Sequence, residues 1–178
     1  MTTENTQLVI LDIQGKLSQI VQQSEEVLRN SRILIEGCKT LDIPLIWVEQ
    51  MPDKLGATHP QIAEVLAGET PITKRSFSAY GEEAFVSRLG QYDSKHVVLI
   101  GIETHICIYQ TAIDLLAAGY KVTVIADAVS SRTESNKQIG LGMLRDAGVQ
   151  LLSTEALLFS VLRTAAHPKF KEIAKLVK

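Results

Sequence analysis

Val97-Val98-Leu99-Ile100-Gly101-Ile102-Glu103-Thr104-His105-Ile106-Cys107 is the stretch whose reading decides the fold. Four apolar residues form a short buried strand, Gly101 interrupts it, and residues 105–118 carry the spacing of an amphipathic helix. A strand that feeds directly into a helix is half of a parallel crossover unit. The same unit recurs in both directions. Strand-like runs fall at residues 8–12, 45–48, 72–75, 97–100, 122–126 and 149–151. Helical stretches lie between them at about 25–41, 60–67, 82–91, 105–118 and 134–147, with a C-terminal pair starting near Thr154 and Pro168. This alternation predicts an α/β fold with a six-stranded, mostly parallel sheet.

Local signals mark several boundaries. Ser24 is placed to cap the first long helix ahead of Glu25 and Glu26, while Gly119 and Gly148 suit the left-handed position just past a helix end. In the helix from His105, the residues expected to face the sheet are Ile106, Ile113, Leu116 and Ala117. In the next helix they are Ile139, Leu141 and Leu144. Residues 50–60 form the one long irregular connection, a segment that could border a site.

At 178 residues, 46% hydrophobic and 21% charged, the chain fits one globular domain that can bury its own core. A net charge of -2 provides no basic field for nucleic acid or an anionic membrane, so the expected partners are a small molecule and another copy of the chain. The first six residues lack a basic, apolar leader, and the longest apolar runs fall well short of the roughly 20 residues a membrane span needs. A cytoplasmic setting follows as the expectation. Cys38 and Cys107 are then read as reduced thiols.

In a sheet wound on both sides, ligands bind beyond the carboxyl ends of the strands. Three reactive residues sit there. Asp12 closes the first strand after Leu8-Val9-Ile10-Leu11, Lys74 lies near the end of the third, and Cys107 falls in the first turn of the helix after the fourth. Free N–H groups at a helix start favour a thiolate, and a nearby ammonium adds to this. Lowering the thiol pKa from roughly 8.5 to about 6.5 corresponds to about 2.7 kcal/mol. Asp12 can accept the thiol proton and later return it to a leaving group, with Lys74 holding the carboxylate.

Asp12-Ile13-Gln14, Lys74 and Gly101-Ile102-Glu103-Thr104-His105-Ile106-Cys107, in this order and spacing, resemble the isochorismatase-like cysteine hydrolases, a superfamily that includes nicotinamidases. Asp127-Ala128, read as a turn after the fifth strand, and Val129-Ser130-Ser131-Arg132 extend the likeness to nearly the whole chain. The resemblance implies a Rossmann-like three-layer α/β/α sandwich, a covalent intermediate on Cys107, and a cis peptide between Ile102 and Glu103. It further implies that the N–H groups of Glu103 and Cys107 face a developing oxyanion. Thr104, as a natural N-cap, competes for the Cys107 N–H.

Metal-dependent nicotinamidases carry an Asp-x-His pair after the second strand. This chain has Val48-Glu49-Gln50-Met51-Pro52 instead, so no metal or other cofactor is expected, Glu49 and His59 being two isolated candidates. These departures resemble the isochorismatase domain-containing proteins.

Plainer readings stand beside these. Most cysteines in such folds are small buried hydrophobes, as Cys38 is read; Asp12 could be a turn residue and Lys74 a solvated one. His105 cannot form a dyad with Cys107, since residues two apart on a helix point about 200° apart, and it is read as lining the pocket with Gln14, Phe77 and Tyr80. His96 and His167 are read as surface residues. The leading reading is hydrolysis of a small amide or related carbonyl compound. A thiol-based redox or electrophile sensor and a silent binding module are the rivals. A dehydrogenase is weaker, because the glycines of a dinucleotide turn are missing after the first strand.

Overall fold

The computed structural model describes all 178 residues. After a 3-10 turn at Thr3–Asn5, the elements are β1 (Thr6–Leu11), α1 (Leu17–Ile20), α2 (Ser24–Thr40), β2 (Leu45–Gln50), α3 (Pro52–Leu55), α4 (Pro60–Val65) and β3 (Ile72–Lys74). A 3-10 turn at Ala79–Gly81 leads to α5 (Glu83–Leu89) and β4 (His96–Ile102). A π-helical turn at Thr104–Ile108 then opens into α6 (Tyr109–Ala117), followed by β5 (Lys121–Ser130), α7 (Glu134–Asp146), β6 (Gln150–Leu152), α8 (Thr154–Leu162) and α9 (Phe170–Leu176).

The six strands lie in the order β3-β2-β1-β4-β5-β6, and every neighbouring pair is parallel. Alternate residues of the central strands feed two separate cores. Leu8, Ile10, Val98 and Ile100 pack with Leu34, Ile35, Leu158 and Ile173 of α2, α8 and α9. Val9, Leu11, Val97 and Leu99 pack with Phe85, Ala112, Leu115 and Leu144 of α5, α6 and α7. Burial on both faces explains why these strands read as continuous apolar runs. The result is a three-layer α/β/α sandwich whose strand order reverses between β1 and β4, where a crevice is expected.

The structure corrects several local expectations. β5 runs past Ala126 to Ser130, so Asp127 and Ala128 lie within a strand; its register with β4 slips, Leu99 pairing with Val124 but Gly101 with Val129. The sheet-facing side of the helix after β4 is Ile108, Ala112 and Leu115, with Leu116 half-buried against the same core as expected, rather than Ile106, Ile113 and Ala117. The π-helical turn rotates the face relative to an α-helix begun at His105. In α7, Leu141 and Leu144 are buried as expected but Ile139 is exposed, and Gly140 occupies the contact instead. Ser24 is the first residue of α2 rather than its cap; the cap position belongs to Gln23, held at φ 54°. His96 is buried, its Nε2 2.8 Å from Thr123 Oγ1, with burial pushing its pKa down. His167 is half-buried, its Nδ1 accepting from the Lys169 N–H at 3.1 Å. No helix is long and apolar enough to cross a membrane.

Two glycines place the turn after β4. Gly101 has φ 126°, and a Cβ there would lie 1.9 Å from the Leu11 carbonyl oxygen. A Cβ at Gly140 would lie 2.8 Å from the His105 nitrogen, so α7 rests directly on the turn. Gly101→Ala is expected to lower the unfolding free energy by several kcal/mol, because strain and collision coincide. Gly142→Ala, also in α7, meets nothing within 4 Å and is expected to add about 0.5–1 kcal/mol. Chemical denaturation of both variants checks the contrast, and equal effects would contradict it.

Candidate active site

The carboxyl ends of β1, β2, β3 and β4 converge on one buried cluster. Asp12 follows β1 with φ 56°, a left-handed conformation that turns its side chain out of the strand's alternation. Lys74 ends β3, two strands away. Strands are about 4.8 Å apart, so only a long side chain crosses the end of β2 to reach β1. Lys74 Nζ lies 2.8 Å from Asp12 Oδ2, with Lys74 0% and Asp12 4% exposed.

Three other acceptors hold the lysine. Nζ donates to Gln50 Oε1 at the end of β2, to the Ser76 carbonyl at 3.2 Å and to the Phe77 carbonyl at 3.1 Å. Those carbonyls are presented by a loop that Glu82 organises: its Oε1 accepts from the Arg75 N–H at 2.8 Å, the Ser76 N–H at 3.1 Å and the Ser76 hydroxyl at 2.7 Å. Those bonds hold the Glu82 carboxyl below its ordinary range. The three protons of Lys74 are thereby committed, and its contact with Asp12 is an ion pair rather than an aligned hydrogen bond. Both carboxylate oxygens of Asp12 are buried with no donor aligned on them.

Cys107 is 8% exposed, in the π-helical turn after β4. Its thiol is close enough to Asp12 and Lys74 for both to shift its ionisation. The peptide between Ile102 and Glu103 is cis. Thr104 Oγ1 is buried without a hydrogen-bond partner, so its hydroxyl does not take the Cys107 N–H.

The isochorismatase domain model matches residues 6–156. The chain belongs to the isochorismatase family. It is 40% identical over 177 residues to isochorismatase domain-containing protein 2 of Danio rerio, covering 99% of this chain and 89% of that protein. The mouse isochorismatase domain-containing protein 2A is 34% identical, with 98% and 84% covered. Among solved structures, one described as the MAR1 ribonuclease of Caenorhabditis elegans superimposes with a TM-score of 0.93 at 36% identity, covering 99% of this chain and 91% of that one. The chain is thus an isochorismatase-family hydrolase of the domain-containing protein type.

Within this family member the thiol does not behave as its position at a helix start suggested. Burial, and then the Asp12 charge, push the Cys107 pKa up to about 12, and Lys74 offsets only part of this. A π-helical turn replaces the regular first helical turn, and a carboxylate close by disfavours a thiolate more than a partly formed dipole favours it. Burial also raises the Asp12 carboxyl, with Lys74 pulling it part of the way back. The thiol therefore rests protonated, beside an acid whose proton affinity burial has raised.

The other expected pocket residues are dispersed. Gln14 is buried and fully used: Nε2 donates to the Gln50 carbonyl at 3.2 Å and the Gly56 carbonyl at 2.7 Å, and Oε1 accepts the Gln50 N–H at 2.6 Å. It clamps the 50–60 connection over the end of β1 rather than lining a pocket. Phe77 is 56% exposed, and it is its carbonyl that reaches the buried cluster. Tyr80 is half-buried against the core on the α5–α7 face. His105 Nδ1 lies 2.9 Å from Ser131 Oγ and serves the neighbouring loop. Glu103 Oε1 accepts from the Arg132 N–H at 2.9 Å and from Arg132 Nε at 3.2 Å. Glu49 Oε1 is spent on Thr58, through its N–H and its hydroxyl at 2.7 Å each, and no three His, Cys, Asp or Glu residues cluster as metal ligands.

Gln50 and Glu82 are the residues that sequence reading passed over. The only available signal was a Gln closing β2 between two strands that end in a charged residue.

Thiolate absorbance titration of the folded protein is expected to show no step below about pH 10, since both Cys38 and Cys107 are pushed up to about 12. In a Cys38→Ser background, Asp12→Asn removes a charge that opposes the thiolate while leaving Lys74, and Cys107 is expected to titrate at lower pH. An unchanged midpoint would show that Asp12 does not act on the sulfur.

Proposed function

We propose that this hydrolase cleaves a small amide or related carbonyl compound through Cys107, with Asp12 as proton carrier and Lys74 as its positioning and charge-balancing partner. The observation that carries this reading is the buried Asp12–Lys74 pair close enough to the Cys107 thiol to shift its ionisation, with the lysine's protons committed elsewhere and the carboxylate retaining acceptor capacity.

The sulfur attacks the carbonyl carbon as its proton passes to Asp12. A thiol near pKa 12 makes this transfer concerted with attack, because a free thiolate is scarce at neutral pH. The N–H groups of Glu103 and Cys107 are the candidate donors to the oxyanion. As the tetrahedral intermediate collapses, Asp12 gives its proton to the departing nitrogen, leaving a thioester. Water, deprotonated by Asp12, attacks the thioester; the acid leaves and the sulfur regains its proton. Lys74 keeps the carboxylate in place throughout and limits the cost of its charge. The small exposure of the three side chains favours a compact substrate. The same reading includes a cytoplasmic setting, consistent with two free cysteines, and self-association.

The high thiol pKa weighs against a redox sensor, which requires an accessible thiolate. RNA hydrolysis is a second reading, supported by the likeness to the protein described as MAR1 ribonuclease. A phosphodiester chain fits poorly against residues exposed by 8% or less on a chain of net charge -2.

A panel of small amides, read by amine or ammonia release and by intact mass, tests the proposal. Wild type is expected to turn over at least one member and form an acyl adduct; Cys107→Ala is expected to lose at least about a thousandfold in rate and show no adduct. Turnover undiminished in Cys107→Ala, or RNA cleavage equal in both proteins, would overturn it.

A further inference from the structure

A second polar site lies away from Cys107, beside the middle of β5 and at the carboxyl end of β6. A cavity of about 580 Å³ is bounded there by α7, the start of α2 and the first turn of α8. On its wall is Lys137, only 6% exposed. Its Nζ donates to one neutral partner, Gln23 Oε1, at 3.0 Å, and it takes part in none of the chain's five ion pairs. A buried ammonium has three donors and a charge to satisfy, and such groups are ordinarily paired. This one is left with two donors uncommitted.

Other features of the cavity agree. Gln23 is held in the left-handed region at φ 54°, a conformation costly for a residue with a Cβ, and strain of this kind gathers at ligand sites. Arg145 adds a second cation to the wall, and Leu141, Leu151 and Leu152 add an apolar surface. Two carboxylates, Glu26 and Asp127, also line it. Asp127 Oδ1 is turned away to accept from the Thr154 N–H at 2.8 Å and the Thr154 hydroxyl at 2.9 Å, and Glu26 pairs with neither cation.

We infer that this cavity binds a small molecule bearing a carboxylate or phosphate on an apolar body, with Lys137 and Arg145 contacting the oxyanion and the leucines covering the body. Lys137 supplies the buried charge, and Gln23 steadies it when the site is empty. The site is separate from the Cys107 cluster, as none of the residues bounding the cavity belongs to that cluster.

Isothermal titration of the full-length protein with inorganic phosphate, with hexanoate and with neutral hexanol tests this and separates the two anion classes. One of the two anions is expected to saturate at one site per chain, and hexanol is not. Lys137→Met is expected to weaken that anion by about tenfold or more, while Lys137→Arg retains it. Arg145→Gln, at an exposed position, lowers the affinity without threatening the fold. Protein alkylated at Cys107 is expected to bind unchanged. The inference is overturned if neither anion saturates, if hexanol binds as well as hexanoate, if Lys137→Met and Arg145→Gln both bind like wild type, or if alkylation of Cys107 abolishes binding.

Discussion

The ion pair between Asp12 and Lys74 is the constraint around which this end of the sheet is arranged. Removing two charges from water costs several kcal/mol for each, and a contact at 2.8 Å recovers that only when the remaining donors are also satisfied. The fold meets this condition with three acceptors from separate places: Gln50 on β2 and the Ser76 and Phe77 carbonyls beyond β3. Glu82 shapes the loop that offers those carbonyls, and Gln14 fixes Gln50 against the end of β1. Three strand ends, those of β1, β2 and β3, and the loop after β3 are thus tied to one ammonium. Loss of either charged partner would leave the other buried and uncompensated, a change that commonly costs about 3–5 kcal/mol.

The same arrangement sets the chemistry. An ammonium whose protons are all engaged stabilises the carboxylate through charge while leaving its oxygens without aligned donors. Burial raises both Asp12 and Cys107, so the proton resting on sulfur faces a base that is stronger than an ordinary carboxylate. On the proposed mechanism, proton transfer and bond formation to sulfur are one event. The nucleophile is, on that mechanism, generated only when an electrophile is present, and the protonated resting thiol resists oxidation.

Much of this was readable in the chain itself. Strands buried on both faces carry unbroken apolar runs, so β1, β4 and β5 stand out, and a charged residue closing such a run, as Asp12 does, is conspicuous. The cysteine and the lysine were legible through their places after strands. What escaped depended on three-dimensional neighbours. Gln50 carries no signature beyond being polar, yet it bridges the two charged strand ends. The apolar spacing after His105 suits an α-helix and a π-helical turn alike, and the choice between them rotated the buried face. The direction of the Cys107 shift was misread because a helix start is visible in sequence, whereas the depth of burial and the nearest charge are not. His96 was taken for a surface residue because its partner, Thr123, belongs to another strand.

The pH dependence of Cys107 alkylation by a neutral haloacetamide tests the central claim most directly, because it reports how the sulfur loses its proton without requiring a known substrate. If Asp12 removes the proton as the sulfur reacts, the rate rises with ionisation of the carboxyl and then levels to a plateau, and Asp12→Asn loses that plateau. A logarithmic rate that climbs with unit slope through neutral pH, alike in wild type and Asp12→Asn, would mean that the sulfur reacts only as a free thiolate and that the carboxylate has no part in activating it.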